Sequence, residues 1–399
     1  MKAVKELPPA FRLACACCAW PPSPKRDAAV RAASAPVDWE RFLRVVARQR
    51  VPGLAHAALR AAGVRPPPGA GEALARAAQS GAARALALAA ESVRLQALLR
   101  AEAIEALCVK GAALAELAYG GQGLKHCRDI DLVVAPVDAE RAYGLLQREG
   151  YRPSIPKGPL TAEQRRLVFG LHKDMELRDG SRQLSVELHW RLIDNPVLLP
   201  RVGAGSPTQT VQTPSGPLTT LGDLDLFAYL VTHGATHGWF RLKWLADLNA
   251  WLAGKTGAEI GAYYAHSEAL EVDACAGQAL ALCERLLGFA PPPQLRKSLQ
   301  TRKVGGLVAS ALDAMVGPDG EVELADRPFG PFRLLAPQFA RGRGLGFFLA
   351  QCRLLLDSLD DRLDFPLPKA LGFLYPILRL PFWLIRIRRR RRRNRMQSA

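Results

Sequence analysis

Arg128-Asp129-Ile130-Asp131-Leu132-Val133-Val134 sets two acids, one residue apart, at the head of an apolar, β-branched run. Most of the chain on either side reads as helix, so this run marks where a sheet must enter the fold. Successive strand side chains point to opposite faces. Asp129 and Asp131 then share one face, and Ile130 takes the other. Two like charges this close repel, and a bound divalent cation relieves the repulsion. Paired metals about 3.5–4 Å apart can clamp the attacking and leaving oxygens of a phosphoryl transfer. Alone, Asp-x-Asp is common and fits a strand that begins with two solvated acids. The surrounding residues decide between the two.

Residues 1–36 are rich in Pro and Ala and read as a poorly ordered N-terminus. Asp38 is placed to cap a helix running to Val51. Beyond Pro66-Pro67-Pro68-Gly69, an Ala/Leu/Arg-rich helix covers about residues 71–103, with strong helix formers throughout. Residues 37–104 thus form an N-terminal helical region. Leu107-Cys108-Val109 is a short strand ending at Lys110-Gly111, and a helix over 112–119 closes at Gly120-Gly121. Asp138 suits the N-cap of a helix ending at Arg148, with Gly150 just beyond it. Two strands, about 168–178 and 183–191, flank the turn signal Asp179-Gly180. Residues 195–221 read as a long irregular connection in which Thr210-Val211-Gln212 and Leu218-Thr219-Thr220 can pair. Helical patterns resume at 224–236, 242–252, 257–267, 272–287 and 303–315, and 318–330 reads as loop. The expected class is α+β: a small mixed-sheet core over 105–221, then a helical region over 222–370.

With 399 residues, 49% hydrophobic and 23% charged, the chain has the composition of a globular protein of two or three domains. The net charge of +17 is uneven. Arg379, Arg386, Arg388 to Arg393 and Arg395 supply nine positive charges, which leaves the body at +8. A mildly basic body suits an anionic substrate such as a nucleotide. The eight cysteines include no Cys-x-x-Cys, which argues against a structural zinc site. Free thiols fit a reducing, cytoplasmic setting. Pro8, Pro9 and Arg12 interrupt any signal-peptide core. No apolar run reaches the roughly 20 residues of a membrane span. Residues 371–399 combine an apolar segment, broken by Pro376, Arg379 and Pro381, with the arginine run. That tail suits peripheral contact with an anionic membrane or nucleic acid, or forms a packed helix with a solvated end.

A two-metal site wants a third carboxylate. In Ser185-Val186-Glu187-Leu188-His189-Trp190, alternation puts Glu187 and His189 on one face and Val186, Leu188 and Trp190 on the other. Glu187 can therefore meet Asp129 and Asp131 across a sheet. Asp174 and Glu176, on the preceding strand with His172, are the alternatives. Lys110-Gly111 supplies a glycine that lets the backbone approach a phosphate, a helix N-terminus, and a full positive charge. Arg128 can bind phosphate or hold Asp129 in an ion pair. His233 and His237, four residues apart on a helix, share one face. A metalloprotease would need His-Glu-x-x-His, and Gly234 stands in the glutamate's place. These histidines, with Trp239, Arg241, Lys243 and Asp247, pack the helical half on the sheet or line a nucleotide pocket.

Three stretches, Val109 to Tyr119, Arg128 to Val134 and Glu187 to Leu192, together resemble the uncharacterised nucleotidyltransferase family of the DNA polymerase β-like superfamily. The segment His233 to Leu248 resembles its helical half. The likeness covers about residues 100–255. It implies an α+β nucleotidyltransferase core whose strand carboxylates bind Mg2+ or Mn2+ and whose substrate is a nucleoside triphosphate. The superfamily's Gly-Ser before the helix is Lys110-Gly111-Ala112 here, a lysine and backbone in place of a hydroxyl, which the family resemblance tolerates. By the resemblance, Asp129 and Asp131 bind metal, Glu187 binds metal or acts as base, and Lys110, Gly111 and Arg128 hold phosphates. A substrate hydroxyl attacks the α-phosphate and pyrophosphate leaves. The acceptor (small molecule, RNA end or protein side chain) is left open. An inactive nucleotide-binding or scaffold protein on the same fold, and a zinc hydrolase built on His233 and His237, are the competing readings.

Overall fold

The computed structural model describes residues 7–154, 160–317, 320–323 and 334–397; for 369 and 387–397 it describes the backbone alone. Five helices come first: α1 (Pro9–Cys18), α2 (Pro24–Ser34), α3 (Trp39–Gln49), α4 (Pro52–Ala61) and the 34-residue α5 (Pro68–Ala101). Residues 9–34 are therefore not poorly ordered as the composition suggests. Pro9 and Pro24 each sit in the first helical turn, where a missing N–H costs nothing. Ser23 accepts from the Arg26 amide as N-cap. Phe11, Leu13 and Cys18 of α1 are fully buried in the main core. The Ala/Cys composition allows close helix packing rather than disorder. Asp38 caps α3 as expected, accepting from the amides of Glu40 and Arg41.

The sheet follows: β1 (Ala106–Cys108), α6 (Gly111–Tyr119), β2 (Ile130–Val134), α7 (Ala139–Arg148), β3 (Tyr151–Pro153), α8 (Ala162–Leu171), β4 (Asp174–Asp179) and β5 (Leu184–His189). Its strand order is β1-β2-β5-β4-β3. Only β2 and β5 run parallel; the other pairs are antiparallel. Asp138 caps nothing with its side chain, which pairs with Arg141 at 2.6 Å. The strand expected over 168–178 is half helix. Thr161 and Gln164 form a capping box that starts α8, which holds Val168. The expected irregular stretch ends in a hairpin, β6 (Thr208–Thr213) and β7 (Gly216–Leu221), with Leu218 opposite Val211.

The helical half comprises α9 (Asp223–Thr236), α10 (Leu242–Leu252), α11 (Gly257–Ala269), α12 (Asp273–Leu287), α13 (Arg296–Leu299), α14 (Arg302–Val316), α15 (Leu335–Gln338), α16 (Gly344–Leu356), α17 (Leu359–Asp364) and α18 (Tyr375–Gln397). With 62% helix and a small mixed sheet, the fold is α+β. The expected loop over 318–330 lies mostly outside the described residues.

The sheet separates two cores. Ile130, Leu132, Val134, Val186 and Leu188 pack with α7 and one side of α5. Val133 points the other way, into the core shared by α1–α4 and α9–α14. Asp131, between Leu132 and Ile130, takes that second face and looks toward the helical half.

Gly234 shows how tightly that half is built. The chain doubles back after α9, so that the Trp239 amide donates to the Gly234 carbonyl at 2.8 Å. A Cβ on Gly234 would stand 2.3 Å from the fully buried Trp239 ring. Gly234→Ala is expected to cost about 1–3 kcal/mol by overpacking. A lowered urea midpoint with an unchanged slope would report it.

Candidate active site

Strand pairing brings the acids together. Asp131 stands opposite Glu187 in the parallel β2–β5 register, and Glu187 is opposite Glu176 on β4. β2 begins at Ile130, so Asp129 lies just ahead of the strand. Asp129 and Asp131 nevertheless line one cavity of about 40 Å3 with Lys110 and Gly111. The rest of its wall comes from Leu114, the segment Lys125-His126-Cys127 and the helical half, including His233, Lys243 and Asp247.

Gly111 opens α6 with φ +54°, the left-handed region that disfavours side chains. That turn aims the helix N-terminus at the cavity and places Lys110 over Asp131, Nζ to Oδ1 at 2.7 Å. Burial opposes charge on Lys110, but Asp131 outweighs it and raises the ammonium well above its usual range. Burial likewise opposes charge on Asp131, and Lys110 and His189 hold the carboxyl well below its usual range. Asp129 behaves oppositely. Burial and the charges of Asp131 and Glu187 push its carboxyl up. Such a like-charge cluster is relieved by a cation.

His189 completes the cluster. Its Nε2 is 3.4 Å from both Asp131 Oδ1 and Glu187 Oε2, and its Nδ1 is 3.4 Å from Asp174 Oδ2. Both ring nitrogens are buried without a well-aligned hydrogen bond. Ligand atoms of Asp131, Glu187 and His189 all lie within 4.8 Å of one another. Orphaned, convergent donors of this kind fit a divalent ion. None of Asp174, Glu176 and Glu187 lines the cavity itself; Glu187 is set apart by its place opposite Asp131, whereas Asp174 pairs with Lys173 and His189, and Glu176 with Arg178 at 2.8 Å.

Arg128 is exposed, does not line the cavity and has no ion pair among the described residues; its carbonyl accepts from Arg84 at 2.8 Å. The cationic wall is instead Lys110, Lys125 and Lys243. Lys125 is buried against Asp247, whose Oδ1 also accepts from Tyr119 at 2.9 Å. Lys243 has no carboxylate partner among the described residues, and burial together with Lys125 pushes it down to about 8. Lys125 and His126 carry no local signal in the sequence, because only tertiary packing brings them here. His189 was legible as a neighbour of Glu187, but not its contacts with three acids.

His233 and His237 are packed aromatics. Their rings lie 4.6 Å apart, and His237 stacks on Trp244 at 5.1 Å. Burial keeps both uncharged, with His237 pushed down to about 3 and His233 well below its usual value. Neither joins a group of three metal-type ligands among the described residues, which counts against the zinc-hydrolase reading.

Residues 35–288, well over half the chain, match the family described as uncharacterised nucleotidyltransferase. No curated protein and no solved structure matches. The chain belongs to that family.

Proposed function

We propose that this nucleotidyltransferase moves a nucleoside monophosphate from a nucleoside triphosphate to a hydroxyl acceptor. One observation carries the reading: Asp131, which lines a cavity that a glycine-started helix enters, faces Glu187 across parallel strands. Asp129, Asp131 and Glu187 hold Mg2+ or Mn2+, with His189 beside them. Bound there, the ions acidify the hydroxyl and stabilise the leaving oxygens. Gly111 lets the α6 N-terminus approach the triphosphate. Lys110 and Lys243 offer it charge, and Lys243 makes no ion pair among the described residues. The hydroxyl oxygen bonds to the α-phosphorus, the bond from the α-phosphorus to the bridging oxygen breaks, and pyrophosphate leaves. Glu187 takes the hydroxyl proton or completes the metal site. The test is incubation with each labelled triphosphate, Mg2+ or Mn2+, and cell extract. Metal-dependent pyrophosphate release with label transferred to one fraction supports the reading. Nucleotide binding with no turnover would instead support the scaffold reading.

The carboxy-terminal helix suggests where the enzyme works. Tyr375, Arg379, Phe382 and Arg386 lie on one face of α18. That face turns inward: Phe382 stacks on Phe365 at 4.4 Å, and both arginines reach buried Asp361 at 2.7 Å. The opposite face holds Ile377, Leu380 and Leu384, with Ile377 69% and Leu380 63% exposed. The first half of α18 thus turns its arginines and aromatic rings toward the protein and its aliphatic residues outward, and seven arginines, 388–393 and 395, follow later in the same helix. This pattern fits an anionic bilayer surface, where apolar burial and basic charge act together. A second copy of the chain would bring a like-charged arginine run. No helix among the described residues is long and apolar enough to cross a membrane. The protein is expected to sediment with phosphatidylglycerol vesicles and not with phosphatidylcholine vesicles. Ile377→Glu/Leu380→Glu should weaken that binding at least tenfold. Equal binding by this variant, or binding to RNA alone, would overturn the assignment.

A further inference from the structure

A second cavity, of about 680 Å3, lies next to the acid cluster. Its walls come from the end of α8, the segment after β5, the end of α9 and the helices α15–α18. The volume is that of a small-molecule site. His237 lines it, and the His237 ring lies against His233, which lines the metal cavity. His172, also in the wall, is two residues from Asp174, the acid on His189 Nδ1. The two spaces are therefore neighbours across a thin aromatic partition.

The lining charge is unbalanced. Arg341 is only 4% exposed, has no ion pair among the described residues, and its Nε has no partner. A buried guanidinium without a counter-charge is costly, and an anionic ligand removes that cost. Arg191 and Arg353 also line the cavity without a carboxylate partner among the described residues. Arg379 and Asp357 cancel elsewhere, on Asp361 and Arg362. That leaves Asp194, which acts on Arg341 without forming an ion pair among the described residues, against Arg341, Arg191 and the exposed Arg353. Leu171, Ile193 and Leu354 supply an apolar wall.

We infer that this cavity holds the acceptor, and that the acceptor is a small hydroxyl compound with a phosphate or carboxylate group and an apolar body. The acceptor role rests on the transferase reading; the anion site itself does not. Arg341 meets the anionic group, the leucines and Ile193 cover the body, and the hydroxyl lies at the His237 wall, the side nearest the acid cluster.

Calorimetry of the full chain with inorganic phosphate and with succinate tests this, with and without Mg2+ and the α,β-methylene analogue of ATP. One of the two anions should bind, identifying the group recognised. Its affinity should be unchanged when the nucleotide analogue saturates the protein. Arg341→Gln should lose at least tenfold in anion affinity and keep its affinity for the analogue. If Arg341→Gln fails to fold, Arg353→Gln and Arg191→Gln should each weaken the anion at least threefold. Displacement of the anion by the analogue, or wild-type anion affinity in folded Arg341→Gln, would overturn the inference. Loss of nucleotide binding with an Arg341-dependent anion site intact would sink the transferase reading and leave the site standing. Pyrophosphate release without an Arg341-dependent site would do the reverse.

Discussion

Asp131→Asn is expected to lower metal-dependent pyrophosphate release about a hundred- to a thousandfold, a loss of the size seen when transition-state charge stabilisation is removed. The change keeps the shape of the side chain and removes its charge. Asp131 is the most tightly held acid of the cluster. It faces Glu187, touches His189 and carries the Lys110 ammonium. Removing the charge thus weakens a metal site and strands a buried lysine together. The second effect must be separated from the first. Breaking a buried pair from one side costs about 3–5 kcal/mol, whereas replacing both partners is often close to neutral. Lys110→Met/Asp131→Asn should therefore recover stability over Asp131→Asn while staying inactive. Asp129→Asn should lose similar activity with little loss of stability, since Asp129 carries repulsion that its neutral form relieves. Turnover retained in folded Asp131→Asn would sink the proposed chemistry.

The parts of this site that are legible in sequence are those set by local periodicity. The β2 run is readable to within one residue, because β-branched residues and alternation leave little choice. Alternation also puts Glu187 and His189 on one face of β5, with Val186 and Leu188 on the other, as the buried pattern bears out. α10 has the expected bounds, Leu242–Leu252. What escapes is long-range. The parallel register that sets Asp131 against Glu187 has no local signature. Nor has the approach of Lys125 and His126 to the cavity, which depends on how α10 seats on α6. Two misread segments did carry usable signals. Thr161-x-x-Gln164 is a capping box, and Ser23-Pro24 is an N-cap followed by a first-turn proline. Composition masks the second, since Pro- and Ala-rich stretches resemble disorder when read in bulk; the first is hidden by the apolar run Leu167-Val168-Phe169, which reads as strand.

Asp247→Asn is expected to destabilise the fold by about 3–5 kcal/mol, read as a lower urea midpoint. Lys125 and Asp247 form an ion pair with each side chain only 6% exposed. Burial opposes charge on Lys125, but Asp247 keeps its ammonium above the usual 10.5. A raised folded-state value contributes stability that is complete below pH 10.5 and lost as pH rises through the folded value. The wild type should therefore lose this contribution only in strong alkali, and Asp247→Asn should lack it at every pH. The pair ties the segment leading into Asp129 to α10, which carries Lys243 into the same cavity. Tyr119, at the end of α6, donates to the same carboxylate and extends the tie to the helix that Gly111 starts. Asp247→Asn should thus loosen phosphate-side residues as well as lower stability, raising the KM for the triphosphate more than it lowers kcat. Lys125→Met/Asp247→Leu separates the two effects, because it removes both buried charges at once. It should regain most of the stability and still bind triphosphate weakly, since one cationic wall residue is gone. A double variant with wild-type KM would show that Lys125 acts only on the fold.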